Sequence, residues 1–247
     1  MKIALMQLPW NYKPWSSNEL PKLLKQAGHA DLVVFPECMP FATTTTDEAA
    51  RAELAQAGQA KSDCTFISGG YILDGADRRN RVYLTSGGRV VQSYDKQIRW
   101  GERFKEGNEA ACFTWDSNKC VPLICADAGD YLTPRKVQMM FSAIQAGAGP
   151  KVPIVVSSYG GGLMTDYWQR ALREWSKGCD APVVICGISG WNARQTYEDS
   201  MGNKLPFGGG GSGVFWPDGY ELQTAVEGIV TVDLKRRTIE HQSFGPT

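Results

Sequence analysis

Histidine is scarce in this chain of 247 residues, which contains only His29 and His241. A hydrolase built on a Ser-His-Asp or Cys-His arrangement needs an imidazole fixed beside its nucleophile, and many zinc sites use histidine ligands. His29 falls in an expected helix-end turn and His241 lies near the C-terminus, where chains are often mobile. The scarcity argues against all three kinds of site and predicts a carboxylate in the role of a base.

The sequence also lacks an excess of charge of one sign and any long apolar run. Lysine plus arginine (26) equals aspartate plus glutamate (26), so no net field attracts nucleic acid or an anionic membrane. The apolar stretch after Lys2 ends at Met6, too short for a signal peptide, and the run near residues 182–188 is far below the ~18 residues of a membrane span. We therefore expect a cytoplasmic protein that binds a small-molecule substrate, and neither nucleic acid nor a membrane.

The cysteines form an odd set without a CxxC motif, which favours reduced thiols in a cytosol over a disulfide framework. There are seven: Cys38, Cys64, Cys112, Cys120, Cys125, Cys179 and Cys186. At least one thiol is thus free for chemistry. Because the spacing matches no metal-binding pattern, we expect no metal and no other cofactor.

The pattern of apolar segments predicts an α/β fold in a single domain covering residues 1–247. Strands 2–8, 32–35 and 65–71 alternate with helices 17–27 and 47–61, and hairpins follow, one of them turning at Gly87-Gly88. Later segments predict strands 120–125, 152–157 and 183–187 with helices 134–145 and 167–177. Because most strands lack polar alternation, we expect two mixed sheets buried between helices, a four-layer α-β-β-α sandwich.

Three residues with chemical potential follow predicted strands. Glu37 follows residues 32–35, Lys96 follows 89–94, and Cys125 ends 121–124. Ligands gather at the carboxyl ends of strands in α/β sheets, so the three side chains can converge. Each also has an ordinary interpretation: Glu37 as a helix-capping carboxylate, Lys96 as a solvated loop lysine, and Cys125 as a small core residue.

The flanking residues resemble the nitrilase superfamily of carbon-nitrogen hydrolases across nearly the whole chain. DLVVFPE is similar to the strand before the family's catalytic glutamate, FISGG with SGGRVVQSYDK to the hairpin that ends at its lysine, and VPLICAD to its nucleophile elbow. Trp168 with Leu172-Arg173 resembles a family helix, and GSGVFWPDG resembles its closing hairpin. Departures from the family pattern are AGDYLTPR after the elbow and the sequence of residues 175–179.

The resemblance implies a nitrilase-like sandwich in which Glu37, Lys96 and Cys125 are catalytic. A second catalytic glutamate is implied between the lysine and Gly107, with Glu102 the better match and Glu106 its rival. The implied activity is amidase-type hydrolysis of a small linear amide or N-carbamoyl compound through a thioester. Nitrile hydrolysis, acyl transfer to an amine and a non-catalytic binding protein remain alternatives, and a homodimer or larger assembly is implied.

Four further residues are candidates for binding substrate: Ala126, Tyr159, Trp191 and Arg99. Ala126 offers the backbone N–H next to the nucleophile, which can hold an oxyanion, and Trp191 can form a pocket wall. Arg99, like Arg194, can bind a substrate carboxylate or form a surface ion pair, and the sequence leaves both open.

Overall fold

A computed structural model of the chain describes residues 1–9, 19–99, 103–129, 151–158, 166–188, 196–198, 204–206, 211–224 and 227–244. The strands within these ranges form two large mixed sheets and a small two-stranded one. In chain order they are β1 (Lys2–Gln7), β2 (Leu32–Val34), β3 (Pro40–Thr46), β4 (Phe66–Asp74), β5 (Asp77–Ser86), β6 (Arg89–Asp95), β7 (Phe113–Trp115), β8 (Asn118–Ile124), β9 (Ile154–Ser157), β10 (Val183–Cys186), β11 (Thr196–Glu198), β12 (Lys204–Pro206), β13 (Ser212–Phe215), β14 (Glu221–Thr224), β15 (Gly228–Asp233) and β16 (Thr238–Gln242).

The first sheet has eight strands in the order β16-β15-β1-β2-β4-β5-β6, with β3 paired to β4. Strands β1, β2 and β4 are parallel, whereas β4, β5 and β6 form an antiparallel meander. Its central strands bury both faces, with Ile3 and Leu5 in one apolar cluster and Ala4 and Met6 in the other. Both sides of this sheet are therefore covered, as the absence of polar alternation predicts.

The second sheet has six strands in the order β14-β13-β10-β9-β8-β7. Its centre is parallel, with β9 between β8 and β10. Side chains from both sheets share one core, which includes Leu5 and Val34 from the first sheet and Leu123 and Val156 from the second. The Cys186 thiol on β10 donates across this core to the Val34 carbonyl, with 3.2 Å between sulfur and oxygen.

The described helices are α1 (Glu19–Gln26), α2 (Asp47–Ala60), the short α3 (Ala126–Gly129) and α4 (Asp166–Cys179). Helices α1 and α2 cover the first sheet through Leu20, Leu24 and Leu54, and α4 packs against β10 and β13 of the second. Helix α2 begins where the Thr46 hydroxyl accepts from the Ala49 N–H at 3.2 Å, an N-cap before an alanine-rich run. The resulting order of layers is α-β-β-α, which confirms the predicted fold class.

Most expected elements occur with small shifts of their ends, but five of the described strands were not predicted: β3, β7, β11, β12 and β16. Strand β3 contains a proline and four threonines, β7, β11 and β12 have only three residues each, and β16 is mostly exposed, so none shows an apolar run of strand length. The expected helix over 134–145 lies outside the described residues. No helix in the described ranges is long and apolar enough to cross a membrane.

Gly69 and Gly70 let three strands of the first sheet approach one another closely. A Cβ on Gly69 would overlap the Arg81 carbonyl of β5, and one on Gly70 would overlap the Phe41 carbonyl of β3. Gly70 also has a φ of 156°, which side chains disfavour. The two glycines therefore let β3 and β5, which carries Asn80, pair closely with β4.

Candidate active site

The three predicted catalytic residues all lie just beyond strands. Glu37 follows β2 by three residues, Lys96 directly follows β6, and Cys125 directly follows β8. β2 and β6 belong to the first sheet and β8 to the second. The strand ends that carry these residues therefore come from both sheets of the sandwich.

Glu37 and Lys96 form a buried ion pair. The Lys96 ammonium donates to Glu37 Oε1 at 2.7 Å. The Lys96 side chain is only 1% exposed and the Glu37 side chain only 3%. The Asn80 amide donates to the same oxygen at 2.8 Å. Two donors thus share one buried carboxylate oxygen, so neither the capping role for Glu37 nor the solvated loop role for Lys96 describes this arrangement.

The backbone on both sides of Lys96 is fixed. Its N–H donates to the Asn80 carbonyl at 2.8 Å, and its carbonyl accepts from the Gly107 N–H at 2.9 Å. The ammonium lies 5.7 Å from the centre of the Phe104 ring, within the range of a cation–π contact. Lys96 is thus held by its main chain as well as by its charge.

Cys125 occupies a sharp turn between β8 and α3. Its φ is +43°, a left-handed conformation that costs about 1 to 3 kcal/mol for a residue with a side chain. Its N–H donates to the Ser157 carbonyl at 2.8 Å, and the Ser158 hydroxyl lies 3.8 Å from the thiol sulfur. The side chain is 7% exposed, so the turn directs a buried thiol away from the regular strand.

Asp127, two residues after the cysteine, connects the ends of β6 and β8. Its carboxylate is fully buried and accepts from the Tyr94 hydroxyl, the Ile124 N–H, the Gln97 N–H and the Ile98 N–H at 2.8 to 3.1 Å. Burial raises its pKa to about 6, and the Lys96 charge opposes that rise. Asp127 is therefore largely ionised at neutral pH.

Burial makes several of the other thiols poor nucleophiles. It raises the pKa of Cys64 to about 11 and that of Cys179 to about 12, and it raises those of Cys120 and Cys186 further. Because the thiolate is the reactive species, these four cysteines should react slowly. Cys112 is partly exposed and is the natural competitor of Cys125 for an alkylating reagent.

The other predicted site residues have different outcomes. Ala126 is buried at the start of α3. Arg99 is 53% exposed with its Nε 3.4 Å from Glu106 Oε1, the geometry of the surface ion pair that the sequence left open. Glu102, Tyr159 and Trp191 lie outside the described residues, as does Arg194.

The structure adds three residues that the sequence did not single out: Asn80, Asp127 and Ser158. Asp127 ends the quoted family-like segment VPLICAD and Asn80 lies between the quoted segments FISGG and SGGRVVQSYDK, and this was their only signal. Their partners are distant in the chain: Asn80 contacts Glu37, 43 residues away, and Ser158 contacts Cys125, 33 residues away. Among the described residues, no group of three or more histidine, cysteine or acidic side chains is arranged to hold a metal ion.

Comparison with known proteins identifies the fold. No protein-family model and no curated protein sequence matches the chain. An amidase from Nesterenkonia sp. has a similar structure, with a TM-score of 0.72 and 22% identity over 95% of this chain and 90% of that chain. A glutamine-dependent NAD+ synthetase from Acinetobacter baumannii gives a TM-score of 0.65 and 19% identity over 99% of this chain and 48% of that chain.

A variant of the Nesterenkonia sp. AN1 amidase is similar to the same extent, with a TM-score of 0.70 and 21% identity over 95% of this chain and 90% of that chain. That amidase is described as a member of the nitrilase superfamily. The layered sheets and the strand-end site place this chain in the α-β-β-α class. Within that class, it has the fold of the nitrilase-superfamily amidases.

Proposed function

We propose that the protein is an amidase-type hydrolase that cleaves the C–N bond of a small linear amide or N-carbamoyl compound through a thioester on Cys125. The observation that carries the proposal is the buried pair of Glu37 and Lys96, joined at 2.7 Å. A buried ion pair contributes little net stability compared with apolar residues of the same size. The pair lies at the ends of β2 and β6, and the strained Cys125 lies at the end of β8. A catalytic role explains the burial of the pair better than a contribution to stability does.

In the first step, Glu37 acts as the general base. Oε1 accepts from Lys96 and Asn80, and we assign the thiol proton to Oε2. As that proton leaves, the sulfur of Cys125 forms a bond with the carbonyl carbon of the substrate. Glu37 then returns the proton to the nitrogen, the C–N bond breaks, and ammonia or an amine departs.

The oxyanion that forms during attack needs donors at a fixed position. We assign this role to the Lys96 ammonium and the Ala126 N–H, since one such donor contributes about 3 to 4 kcal/mol to transition-state stabilisation. In the second half of the reaction, Glu37 takes a proton from water, the hydroxide attacks the thioester carbon, and the carboxylic acid leaves as the Cys125 thiol re-forms. Glu102 is proposed to orient the lysine or the leaving group.

The substrate class is supported by what the similar amidase is reported to bind. In a variant with one glutamate replaced by glutamine, its active-site cysteine takes up acrylamide by Michael addition, and it takes up the acetamide moiety of fluoroacetamide covalently. Both reagents are small amides. A small amide is therefore the first substrate class to test on this chain, ahead of nitriles.

The test is ammonia release from a panel of ω-amides, N-carbamoyl amines and nitriles, with intact-protein mass used to detect the acyl-enzyme. Cys125→Ala should abolish turnover and the adduct without loss of fold, because the proposed thioester forms on the Cys125 sulfur. Cys112→Ser is the matched control and should retain both. Turnover by a folded Cys125→Ala protein would refute the proposal, and product mass distinguishes hydrolysis from transfer to an amine.

A further inference from the structure

Asp127 contacts both chain segments that carry the proposed catalytic groups. Oδ1 accepts from the Gln97 N–H at 3.0 Å and from the Ile98 N–H at 2.9 Å. Oδ2 accepts from the Ile124 N–H at 3.1 Å and from the Tyr94 hydroxyl at 2.8 Å. One carboxylate thus joins residues that are about thirty positions apart in the chain.

These donors bracket the catalytic groups. Lys96 stands between Tyr94 and Gln97, and Cys125 stands between Ile124 and Asp127 itself. Three of the four donors are buried groups that would lose a partner if the carboxylate were removed. An aspartate that only capped the short α3 turn would not also accept hydrogen bonds from Tyr94, Gln97 and Ile98.

From this geometry we propose that Asp127 is the positioning residue that fixes Lys96 relative to Cys125. The proposal rests on the function proposed above and adds a residue to it. The positive charge of Lys96 also attracts the Asp127 carboxylate, and this attraction acts to lower the pKa of Asp127. The carboxylate therefore holds the lysine segment by hydrogen bonds and holds its charge by electrostatic attraction.

Asp127→Asn changes the charge and hydrogen bonding with almost no change in shape. The amide oxygen can still accept from Gln97 and Ile98, but the amide nitrogen would face the Ile124 N–H, which is donor against donor. We expect kcat for an amide substrate to fall about 100-fold, as small displacements of catalytic groups do, with little change in KM. The rate of iodoacetamide reaction at Cys125, followed by peptide mass spectrometry, should fall as well.

Two further variants complete the experiment. Tyr94→Phe removes one donor and leaves the other three, so we expect kcat to fall about tenfold. Asp116→Asn, in the exposed β7–β8 turn, is the matched control and should behave as wild type in both assays. Thermal melting establishes that each variant is folded.

The outcomes separate this proposal from the proposed function. If folded Asp127→Asn retains wild-type kcat and Cys125 alkylation, the positioning role is wrong while the amidase function stands. If wild type cleaves no amide but alkylation at Cys125 still depends on Asp127, the function is wrong while the positioning role stands. If Asp127→Asn does not fold, Tyr94→Phe decides: unchanged alkylation overturns the proposal, and reduced alkylation supports it.

Discussion

Replacing Lys96 with methionine should destabilise the protein as well as inactivate it. Methionine matches the length of the lysine stem but cannot pair with Glu37, whose side chain is 3% exposed. The carboxylate would keep the Asn80 donor at 2.8 Å. Glu37→Gln creates the opposite defect, a buried ammonium without its carboxylate, although the nearby Asp127 charge still favours the ammonium.

The size of the loss follows from the burial of the pair. Removing one partner of a buried ion pair costs about 3 to 5 kcal/mol. For a chain of this size, 3 to 5 kcal/mol corresponds to a fall in Tm of roughly 6 to 20 °C.

The double variant Glu37→Gln with Lys96→Met tests this reasoning, because it removes both charges at once. It should recover to within about 1 kcal/mol of wild type, since a neutral pair of similar volume often replaces a buried ion pair without loss. Urea unfolding of all four proteins gives the coupling energy. All three variants should be inactive, so stability and activity separate in the double variant.

A surface pair provides the control for the same measurement. Lys105 and Asp77 are 2.6 Å apart, a similar distance, but their side chains are 58% and 39% exposed. Lys105→Met should leave the unfolding midpoint unchanged, because solvent screens an exposed pair. Loss of less than about 1 kcal/mol in Lys96→Met, or a double variant whose loss equals the sum of the single ones, would refute the analysis.

Two predictions concern metal and pH. Activity should survive exhaustive chelation by EDTA, because the proposed mechanism uses only side chains and water; loss that zinc restores would contradict it. The second concerns Asp127, whose pKa is about 6 in the folded protein against an ordinary 3.8. Because the folded state binds this proton more tightly, its contribution to stability is fully present only below the ordinary pKa of 3.8 and is lost as pH rises through about 6. Relative to Asp127→Asn, wild type should gain about 2 kcal/mol between pH 6 and pH 4. Urea unfolding across that range that shows no relative gain would show the carboxyl to be unperturbed.

The sequence predicted the strand-end positions of Glu37, Lys96 and Cys125 because Glu37 and Cys125 each follow an apolar strand and Lys96 follows the second arm of a hairpin with glycines at its turn. It did not predict Asn80 or Asp127 as part of the site, since their roles depend on which distant segments the two sheets bring together. The missed strand β3 has a different cause. Its threonines are mostly exposed, so it belongs to the sheet through backbone pairing with β4 and leaves no buried pattern to detect.

The proposed mechanism implies a particular balance of charge around the buried Cys125. Cys120 and Cys186 are buried among apolar groups, and ionisation there would create an uncompensated charge, so burial raises their pKa values. In the proposed mechanism, the Cys125 proton passes to Glu37, which neutralises one buried carboxylate as the thiolate forms. The net charge of the site does not change, and Lys96 remains beside the negative charge throughout. The free energy of desolvating a buried anion is therefore part of the folding free energy, because Glu37 is already buried with Lys96 in the folded protein. It does not add to the activation free energy of the attack by Cys125.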